Sequence, residues 1–256
     1  GESLVRKDFY LLIRKLSQIT GLEDLTMTTN GLLLSDQAEL LREAGLNRVN
    51  ISLDSSNPET YYSMTRGGDL RRVWTGIEAA LKVGFYPVKI NVVLMKGIND
   101  HEIPDFFKLA YERPLHIRFI EYMPVGGEKI EQANRFLPLR SALKTAASYE
   151  LTPDDTLIGS GPATTYRIPG GAGTIGFISA ISEHFCASCN RLRLTADGFL
   201  KPCLYWPDEL EVRPFLADPE ELCSLFFQAV RIKRKEHQMG KVVELTGNRC
   251  MSQMGG

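Results

Sequence analysis

The chain has 256 residues, of which 43% are hydrophobic and 24% are charged, and its formal net charge at pH 7 is −1. This composition is typical of a globular protein with a sizeable core, and the charge excludes a nucleic-acid binder that relies on overall basicity. We therefore expect no nucleic acid as a partner. No apolar run approaches the roughly 18 residues of a membrane helix, so we expect no membrane partner either.

In the first half of the chain, patterns typical of helices alternate with patterns typical of strands. In chain order they are helix Phe9–Ile19, strand Leu25–Thr29, helix Ser35–Ala44, strand Arg48–Leu53, helix Leu70–Val83, strand Val88–Met95, helix Ile103–Glu112 and strand Leu115–Met123. The alternation predicts right-handed crossovers and a parallel sheet. Because the strands read as apolar on both faces, we expect helices on one side and the interior of a (βα) barrel on the other.

Polar residues collect where three of these strands end. They are Thr28, Thr29, Asn30, Ser52, Asp54 and Glu121. Turn and capping chemistry would explain any one of them. The carboxyl ends of the strands form the catalytic face of a (βα) barrel, so the repetition favours a functional site there.

The alternation ends after Pro124. The later predicted elements are a helix over Pro138–Ala147, an irregular connection over residues 152–173, short β-stretches at Thr174–Ile178 and Arg191–Thr195, and an amphipathic helix over Pro219–Val230. The irregular connection is rich in Pro, Gly and Thr, which is typical of a link between domains.

The strongest local signal is the pair Cys186 and Cys189, followed by Cys203. A C-x₂-C pair can turn two thiolates toward one site, and a hairpin through Asp197–Gly198 can return the third cysteine. Three clustered cysteines suit an iron–sulfur cluster with one iron left open, or a zinc ion completed by a further ligand such as His184. Buried cysteines without a metal are the remaining alternative.

The number and placement of the cysteines also indicate a compartment. The chain has five cysteines, an odd number, and three of them are clustered. This usage is typical of a reducing environment, where cysteines bind metals instead of forming disulfides. We therefore expect a cytoplasmic protein, or one of the mitochondrial matrix if the source is a eukaryote.

Two arginines directly follow the second cysteine. If Arg191–Thr195 is a strand, Arg191 and Arg193 project from the same face, because side chains repeat every two residues. Two adjacent guanidinium groups repel each other unless they face an anion, and phosphate matches their planar forks. Solvated arginines on an exposed strand are the alternative; the neighbouring cysteines favour an anion pocket.

These residues resemble a known family. Ser182–Gly198 and Lys201–Leu204 resemble the C-terminal cluster segment of the GTP 3′,8-cyclase family of radical S-adenosylmethionine (SAM) enzymes. The further matching stretches are Gly1–Glu2, Thr28–Gly31, Asn50–Asp54, Val88–Asn91, Arg118–Pro124 and Gly255–Gly256. In this order the stretches cover essentially the whole chain.

The resemblance implies an α/β fold in two parts. Residues 1–148 would form an incomplete parallel, TIM-like (βα) barrel of the radical SAM type, and residues 149–256 a small C-terminal domain that binds a [4Fe–4S] cluster and GTP. The family's C-x₃-C-x₂-C loop, which holds the SAM-cleaving cluster, is absent from the sequence, and Ser3 stands where the family usually has proline. We therefore expect a chain truncated at its N-terminus that does not cleave SAM by itself.

The resemblance also implies which residues bind each ligand. SAM would be contacted by Gly1, Glu2, Ser52 and Met123. GTP would be bound by Thr28, Lys89, Arg191 and Arg193. A [4Fe–4S] cluster, second to the SAM-cleaving one, would be held by Cys186, Cys189 and Cys203. Cys223 and Cys250 are interpreted as structural.

The activity implied by the resemblance is the first step of molybdenum-cofactor synthesis. A 5′-deoxyadenosyl radical from SAM would abstract the ribose 3′ hydrogen of GTP, and the carbon radical would attack C8 of guanine. The product would be (8S)-3′,8-cyclo-7,8-dihydroguanosine 5′-triphosphate, which cyclic pyranopterin monophosphate synthase would use next. The oligomeric state stays open, with a homodimer as one alternative.

Two other functions stay open on the residues. One is a different radical SAM enzyme with an auxiliary cluster, which the arginine pair and the terminal diglycine disfavour. The other is a zinc-stabilised nucleotide-binding module without catalysis. An assay of iron and sulfide distinguishes this module from an iron–sulfur enzyme.

Overall fold

The computed structural model describes residues 2–123, 135–139, 142, 144, 147–156, 161–239, 249 and 253. These residues form two compact units. The larger unit contains Glu2–Tyr122 and the described part of Arg135–Ser179, and the smaller contains Met123 and the described residues from Ala180 onward. The domain boundary expected after residue 148 stays a prediction. Within the described ranges, no helix has the length and apolar character needed to cross a membrane.

The larger unit has five α-helices in its described part, and four of them lie close to the predicted positions. The five are α1 (Phe9–Ser17), α2 (Leu34–Glu43), α3 (Pro58–Thr65), α4 (Leu70–Lys82) and α5 (Ile103–Glu112). The sequence patterns did not reveal α3. Its start is nevertheless locally encoded, because the Asn57 side chain accepts hydrogen bonds from the backbone N–H groups of Glu59 and Thr60 at 2.9 and 3.1 Å. Pro58 in its first turn has a backbone angle already suited to a helix.

The same unit is built on one mixed sheet. Its strands are β1 (Thr26–Thr29), β2 (Arg48–Ser52), β3 (Val88–Leu94), β4 (Leu115–Glu121), β5 (Thr152–Pro153), β6 (Thr164–Arg167) and β7 (Thr174–Ile178). Their order is β1-β2-β3-β4-β7-β6-β5. The predicted parallel sheet is confirmed for β1 to β4 and for β7, which pairs in parallel with β4.

The last two strands depart from the prediction. Both β5 and β6 lie within the segment expected to be irregular, and they pair in antiparallel fashion with each other and with β7. Within the described part of the chain, β1 and β5 are the open edges of the sheet. A TIM-like barrel is therefore not confirmed, and the fold is α/β with a mostly parallel central sheet.

One face of this sheet forms the core. Val49, Ile51, Ile90 and Phe119 are fully buried, together with the inward residues of α2, α4 and α5. The ring of Phe119 stacks on that of Phe107 in α5, with centroids 5.8 Å apart. Helices cover this apolar face because each carries an apolar stripe with helical spacing.

The other face of the sheet is polar, and the expectation of apolar residues on both faces was wrong. Alternate positions of β1 to β4 and β7 carry Thr26, Thr28, Arg48, Asn50, Ser52, Lys89, Asn91, His116, Arg118 and Thr174. Side chains alternate across a strand, so the charged residues share one face and the branched apolar residues share the other. The polar face is where a ligand site of this unit can form.

The smaller unit contains a three-stranded antiparallel sheet and one helix. The strands are β8 (Arg193–Leu194), β9 (Phe199–Lys201) and β10 (Leu210–Glu211), and the helix is α6 (Pro219–Arg231). The predicted strand Arg191–Thr195 is shorter than expected, and Arg191 precedes it. The expected turn at Asp197–Gly198 is present, with Gly198 at φ +86° and the N–H of Thr195 donating to the carbonyl of Phe199 at 2.8 Å.

Several expectations fall on parts of the chain outside the described residues. Half of the predicted helix Pro138–Ala147 falls there. Gly1, Cys250 and Gly255–Gly256 lie outside them completely. Their predicted roles stay predictions.

Candidate functional site

A row of polar residues crosses the larger sheet. Thr28, Asn50, Lys89 and His116 are register partners in neighbouring strands β1 to β4. Neighbouring strands are about 4.8 Å apart, so Thr28 and Lys89 lie roughly 10 Å apart along this row. The structure therefore brings the two predicted GTP residues of this unit onto one face. Lys89 is buried in β3 and Thr28 is exposed in β1.

Arg118 is a residue of this face to which the sequence analysis assigned no role. Its Nε donates to Oδ1 of Asn91 at 2.8 Å, and its Nη2 donates to Oδ1 of Asn50 at 3.1 Å. These two bonds across β2, β3 and β4 hold the guanidinium against the sheet. The sequence does show that Arg118 lies two residues after His116, which places both side chains on one face of the strand. Its asparagine partners could not be predicted, because they depend on the order of the strands.

The charges of this face perturb one another. Burial, with the charges of Arg48 and Arg118, lowers the pKa of Lys89 to about 8. Burial, with the charges of Arg118 and Lys89, lowers the pKa of His116 to about 3, so this imidazole is neutral at pH 7. Most Lys89 side chains still carry their charge at pH 7. The face therefore presents lysine and arginine cations that repel each other, as expected for residues that bind an anion.

A cavity of about 320 Å³ opens on this face. Lys89, His116 and Arg118 line it from the parallel strands, and Asp154 and Thr165 line it from the β5–β6 part of the sheet. The lining carries two cations, Lys89 and Arg118, and two carboxylates, Asp154 and Asp155, so it suits a polar, hydrogen-bonding molecule better than an apolar one.

Three of the four residues expected to contact SAM are among the described residues, namely Glu2, Ser52 and Met123. The Glu2 carboxylate accepts hydrogen bonds from Oγ1 of Thr29 at 2.7 Å and from the N–H of Asn30 at 2.8 Å, so it lies at the carboxyl end of β1. Ser52 is exposed at the end of β2. Met123 is half-buried and belongs to the smaller unit. Glu2 and Ser52 thus lie at the carboxyl ends of neighbouring strands; the sequence predicted this position for Ser52 but not for Glu2.

In the smaller unit, Cys186, Cys189 and Cys203 are half-buried and none of them forms a disulfide. Cys186 begins a short turn in which its carbonyl accepts from the N–H of Cys189 at 3.2 Å. Burial and the charge of Arg191 lower the pKa of Arg193, whereas Cys203 and Cys189 act in the opposite direction. Arg193 therefore lies within electrostatic reach of both cysteines and of Arg191.

The surroundings of Cys189 favour its thiolate form. Burial alone would raise the pKa of this thiol, but the N–H of Arg191 and the ammonium of Lys233 outweigh burial, and the pKa is lowered. The Lys233 Nζ lies 3.4 Å from the Cys189 sulfur. A thiolate is the form of cysteine that binds metals. The donor set and its charges therefore fit a group bound by thiolates.

A second group of possible metal ligands lies beside the cysteines. The ligand atoms of His184, Cys186 and His237 are all within 4.8 Å of one another, a spacing suitable for one ion. The sequence pointed to His184, but His237 had no signal in the local pattern. The three cysteine sulfurs do not form such a close group among the described residues. The group of His184, Cys186 and His237 suits one ion, whereas a cluster distributes its ligands over several iron atoms and needs no such close group.

Comparisons with known proteins cover both units. Residues 1–110 match the family described as the Radical SAM superfamily, and residues 115–239 match the family described as Molybdenum Cofactor Synthesis C. A GTP 3′,8-cyclase of Listeria monocytogenes is 46% identical over 264 residues, which cover 100% of this chain and 79% of that protein. A GTP 3′,8-cyclase of Moorella thermoacetica is 47% identical over 260 residues, which cover 100% of this chain and 80% of that protein.

Among solved structures, the chain is similar to a radical SAM methyltransferase from Sphaerobacter thermophilus. The likeness covers 56% of this chain and 46% of that one, with a TM-score of 0.42 and 18% sequence identity. A likeness of this extent supports no inference about the chemistry of the site.

Proposed function

The chain belongs to the GTP 3′,8-cyclase family, and we propose that it binds GTP and SAM for the first step of molybdenum-cofactor synthesis. The radical SAM superfamily uses an iron–sulfur cluster together with SAM, and this pair supplies the radical chemistry when bound. The chain's own residues bind and orient the two nucleotides. The cyclised nucleotide would then be the substrate of cyclic pyranopterin monophosphate synthase.

The observation that carries the proposal is the position of Arg193. This guanidinium is half-buried and lies within electrostatic reach of Arg191, Cys189 and Cys203. Two cations beside thiolates, in a partly desolvated place, favour an anionic ligand next to a metal group. A nucleoside triphosphate bound next to an iron–sulfur cluster meets both conditions.

We assign Cys186, Cys189 and Cys203 to a [4Fe–4S] cluster. The free, half-buried state of all three and the lowered pKa of Cys189 support this assignment. Three cysteine ligands would leave one iron open, as the family resemblance implies.

The family resemblance assigns GTP to Thr28, Lys89, Arg191 and Arg193. Lys89 and the arginines would form charge-assisted hydrogen bonds to phosphate oxygens. Arg118 joins this set as a cation that neighbouring asparagines orient. Its fixed guanidinium would meet the ligand without the loss of side-chain entropy that a mobile arginine would incur.

SAM is assigned to Gly1, Glu2, Ser52 and Met123. The position of Glu2 and Ser52 at the carboxyl ends of β1 and β2 supports their part of this assignment. An incomplete (βα) barrel, its division from a C-terminal domain after residue 148 and a cytoplasmic location complete the proposal, and the oligomeric state stays open.

A zinc-stabilised nucleotide-binding module is the second candidate, because His184, Cys186 and His237 have the spacing of ligands to one ion. Against it, His237 already uses both nitrogens. Its Nε2 contacts the carbonyl of Ala180 at 2.7 Å, and its Nδ1 lies 3.3 Å from the N–H of Met239. A zinc ion would have to displace one of these contacts.

Calorimetry of GTP binding tests the proposal. The chain is reconstituted with iron and sulfide without oxygen, and GTP is titrated into the wild type and Arg193→Ala. Loss of charge-assisted bonds of about 1.5–3 kcal/mol should weaken binding roughly ten- to a hundredfold. Arg231→Ala, an exposed arginine at the end of α6, is the matched control and should bind like the wild type. Equal affinities of Arg193→Ala and the wild type, with equal iron contents, would contradict the proposal.

A further inference from the structure

Lys233 makes an unusual set of contacts with the cysteine segment. Its Nζ donates to the carbonyl of Cys189 at 2.6 Å and to the carbonyl of Arg191 at 2.9 Å. The same nitrogen lies 3.4 Å from the sulfur of Cys189. An ammonium group has three N–H donors, and here all three are directed at one short segment of the chain. A solvated surface lysine would not be held in this way.

The backbone that carries Lys233 is itself anchored. The residue follows α6, whose first turn is capped by Asp218 through hydrogen bonds from the N–H groups of Glu220 and Glu221 at 2.9 and 3.1 Å. Leu225 and Ala229 of the helix are buried against Leu200 of β9. The ammonium is therefore supported by the hairpin that also connects the cysteines, and its position is set by the packing of this unit.

We propose that Lys233 is a positioning residue for the iron–sulfur cluster, which fixes the Cys189 loop and makes the cluster easier to reduce. The inference rests on the proposed function, because it requires that Cys189 be a ligand. Donors to the sulfur ligands are among the features that set the potential of such clusters. Reduction adds negative charge to the cluster, and a cation next to a ligand sulfur stabilises the reduced form more than the oxidised form.

The carbonyl contacts have a separate consequence. They fix the backbone between Cys189 and Arg191, so the same ammonium orients the ligand sulfur and the start of the arginine pair. A neutral side chain of similar length would lose both the charge and these bonds. An arginine would keep the charge but could not direct three donors from a single nitrogen.

The test compares Lys233→Met, Lys233→Arg and the control Lys235→Met, in which an exposed lysine two residues further on is replaced. Each protein is reconstituted without oxygen, and its iron and sulfide contents are measured. The midpoint potential of the cluster is then determined by a dithionite titration with redox mediators, monitored by electron paramagnetic resonance. Circular dichroism checks that each variant is folded.

We expect a more negative midpoint potential for Lys233→Met, a smaller shift for Lys233→Arg and no shift for Lys235→Met. Loss of iron from folded Lys233→Met but not from Lys235→Met would also support the role, since it would show that the contacts hold the loop. If Lys233→Met does not fold, the potential of Lys233→Arg decides the question, and a wild-type value overturns the inference. An unchanged or more positive potential of Lys233→Met, at wild-type iron content, overturns it equally. A wild type without iron and sulfide would instead defeat the proposed function itself.

Discussion

Lys89 offers a test in which function and stability should change in opposite directions. Its side chain is buried in β3 beside the charges of Arg48 and Arg118, and its pKa falls from 10.5 to about 8. A lowered pKa means that the folded protein disfavours the charged lysine, relative to the unfolded chain. Replacement by methionine keeps the length of the side chain and removes the charge. We expect Lys89→Met to be more stable and to bind GTP more weakly.

The size of the effect follows from the shift in pKa. At about 1.4 kcal/mol per pKa unit, the full shift corresponds to roughly 3 kcal/mol. Lys89 lines the open cavity, where solvent partly screens its charge, so we expect a gain of about 1–2 kcal/mol for Lys89→Met at pH 7. For GTP, loss of a charge-assisted bond should weaken binding roughly ten- to a hundredfold.

The pH dependence distinguishes a charge effect from simple gain of apolar burial. Below pH 8 the lysine is protonated in both the folded and the unfolded state, and its full cost is present. Between pH 8 and about 10.5 only the unfolded chain keeps the proton, so the stability of the wild type rises toward that of Lys89→Met. Above that range the charge contributes nothing to the difference between the two proteins.

Urea denaturation at pH 7 and pH 10 measures this difference, and calorimetry measures GTP affinity. Lys96→Met, at an exposed lysine just after β3, is the control and should change neither quantity. The reasoning would be refuted by a stability difference between Lys89→Met and the wild type that is the same at both pH values. Unchanged affinity of Lys89→Met for GTP would remove Lys89 from the site.

Three further substitutions test other parts of the account. Cys203→Ser should lose most of the reconstituted iron, as measured by chemical analysis; full iron content would exclude Cys203 as a ligand. Gly173→Ala should destabilise the fold by about 1–3 kcal/mol in urea, because a Cβ there would lie 2.2 Å from the carbonyl oxygen of Leu115. Asn57→Ala should cost about 1 kcal/mol through loss of the cap of α3, and Asn57→Asp, which keeps an acceptor, should lose much less.

The elements that sequence patterns predicted are those with local signals. Both α5 (Ile103–Glu112) and β7 (Thr174–Ile178) have the predicted bounds, because their apolar residues repeat with clear periods. The short helix α3 was missed because only Tyr61 of it is buried, which leaves little apolar pattern. Strands β5 and β6 form through pairing with each other and with β7. The Gly- and Pro-rich sequence of this segment has no local pattern that predicts such pairing.

The candidate site was predictable where the chemistry lies in consecutive residues. Cys186, Cys189 and Arg193 stand close in sequence, and the structure keeps Arg193 near both Cys189 and Cys203. Arg118 was not assigned, because its asparagine partners come from two other strands. Lys233 is 44 residues from the cysteine it contacts, and no local pattern connects the two. Contacts between distant segments can be identified only once the fold is known, whereas motifs of consecutive residues can be recognised in the sequence.

The central claim is that the three clustered cysteines hold an iron–sulfur cluster. Reconstitution without oxygen, followed by analysis of iron, acid-labile sulfide and zinc, tests it most directly. We expect about four iron and about four sulfide per chain, with little zinc and a brown chromophore. About one zinc per chain, without sulfide, would contradict it and favour an ion held by His184, Cys186 and His237.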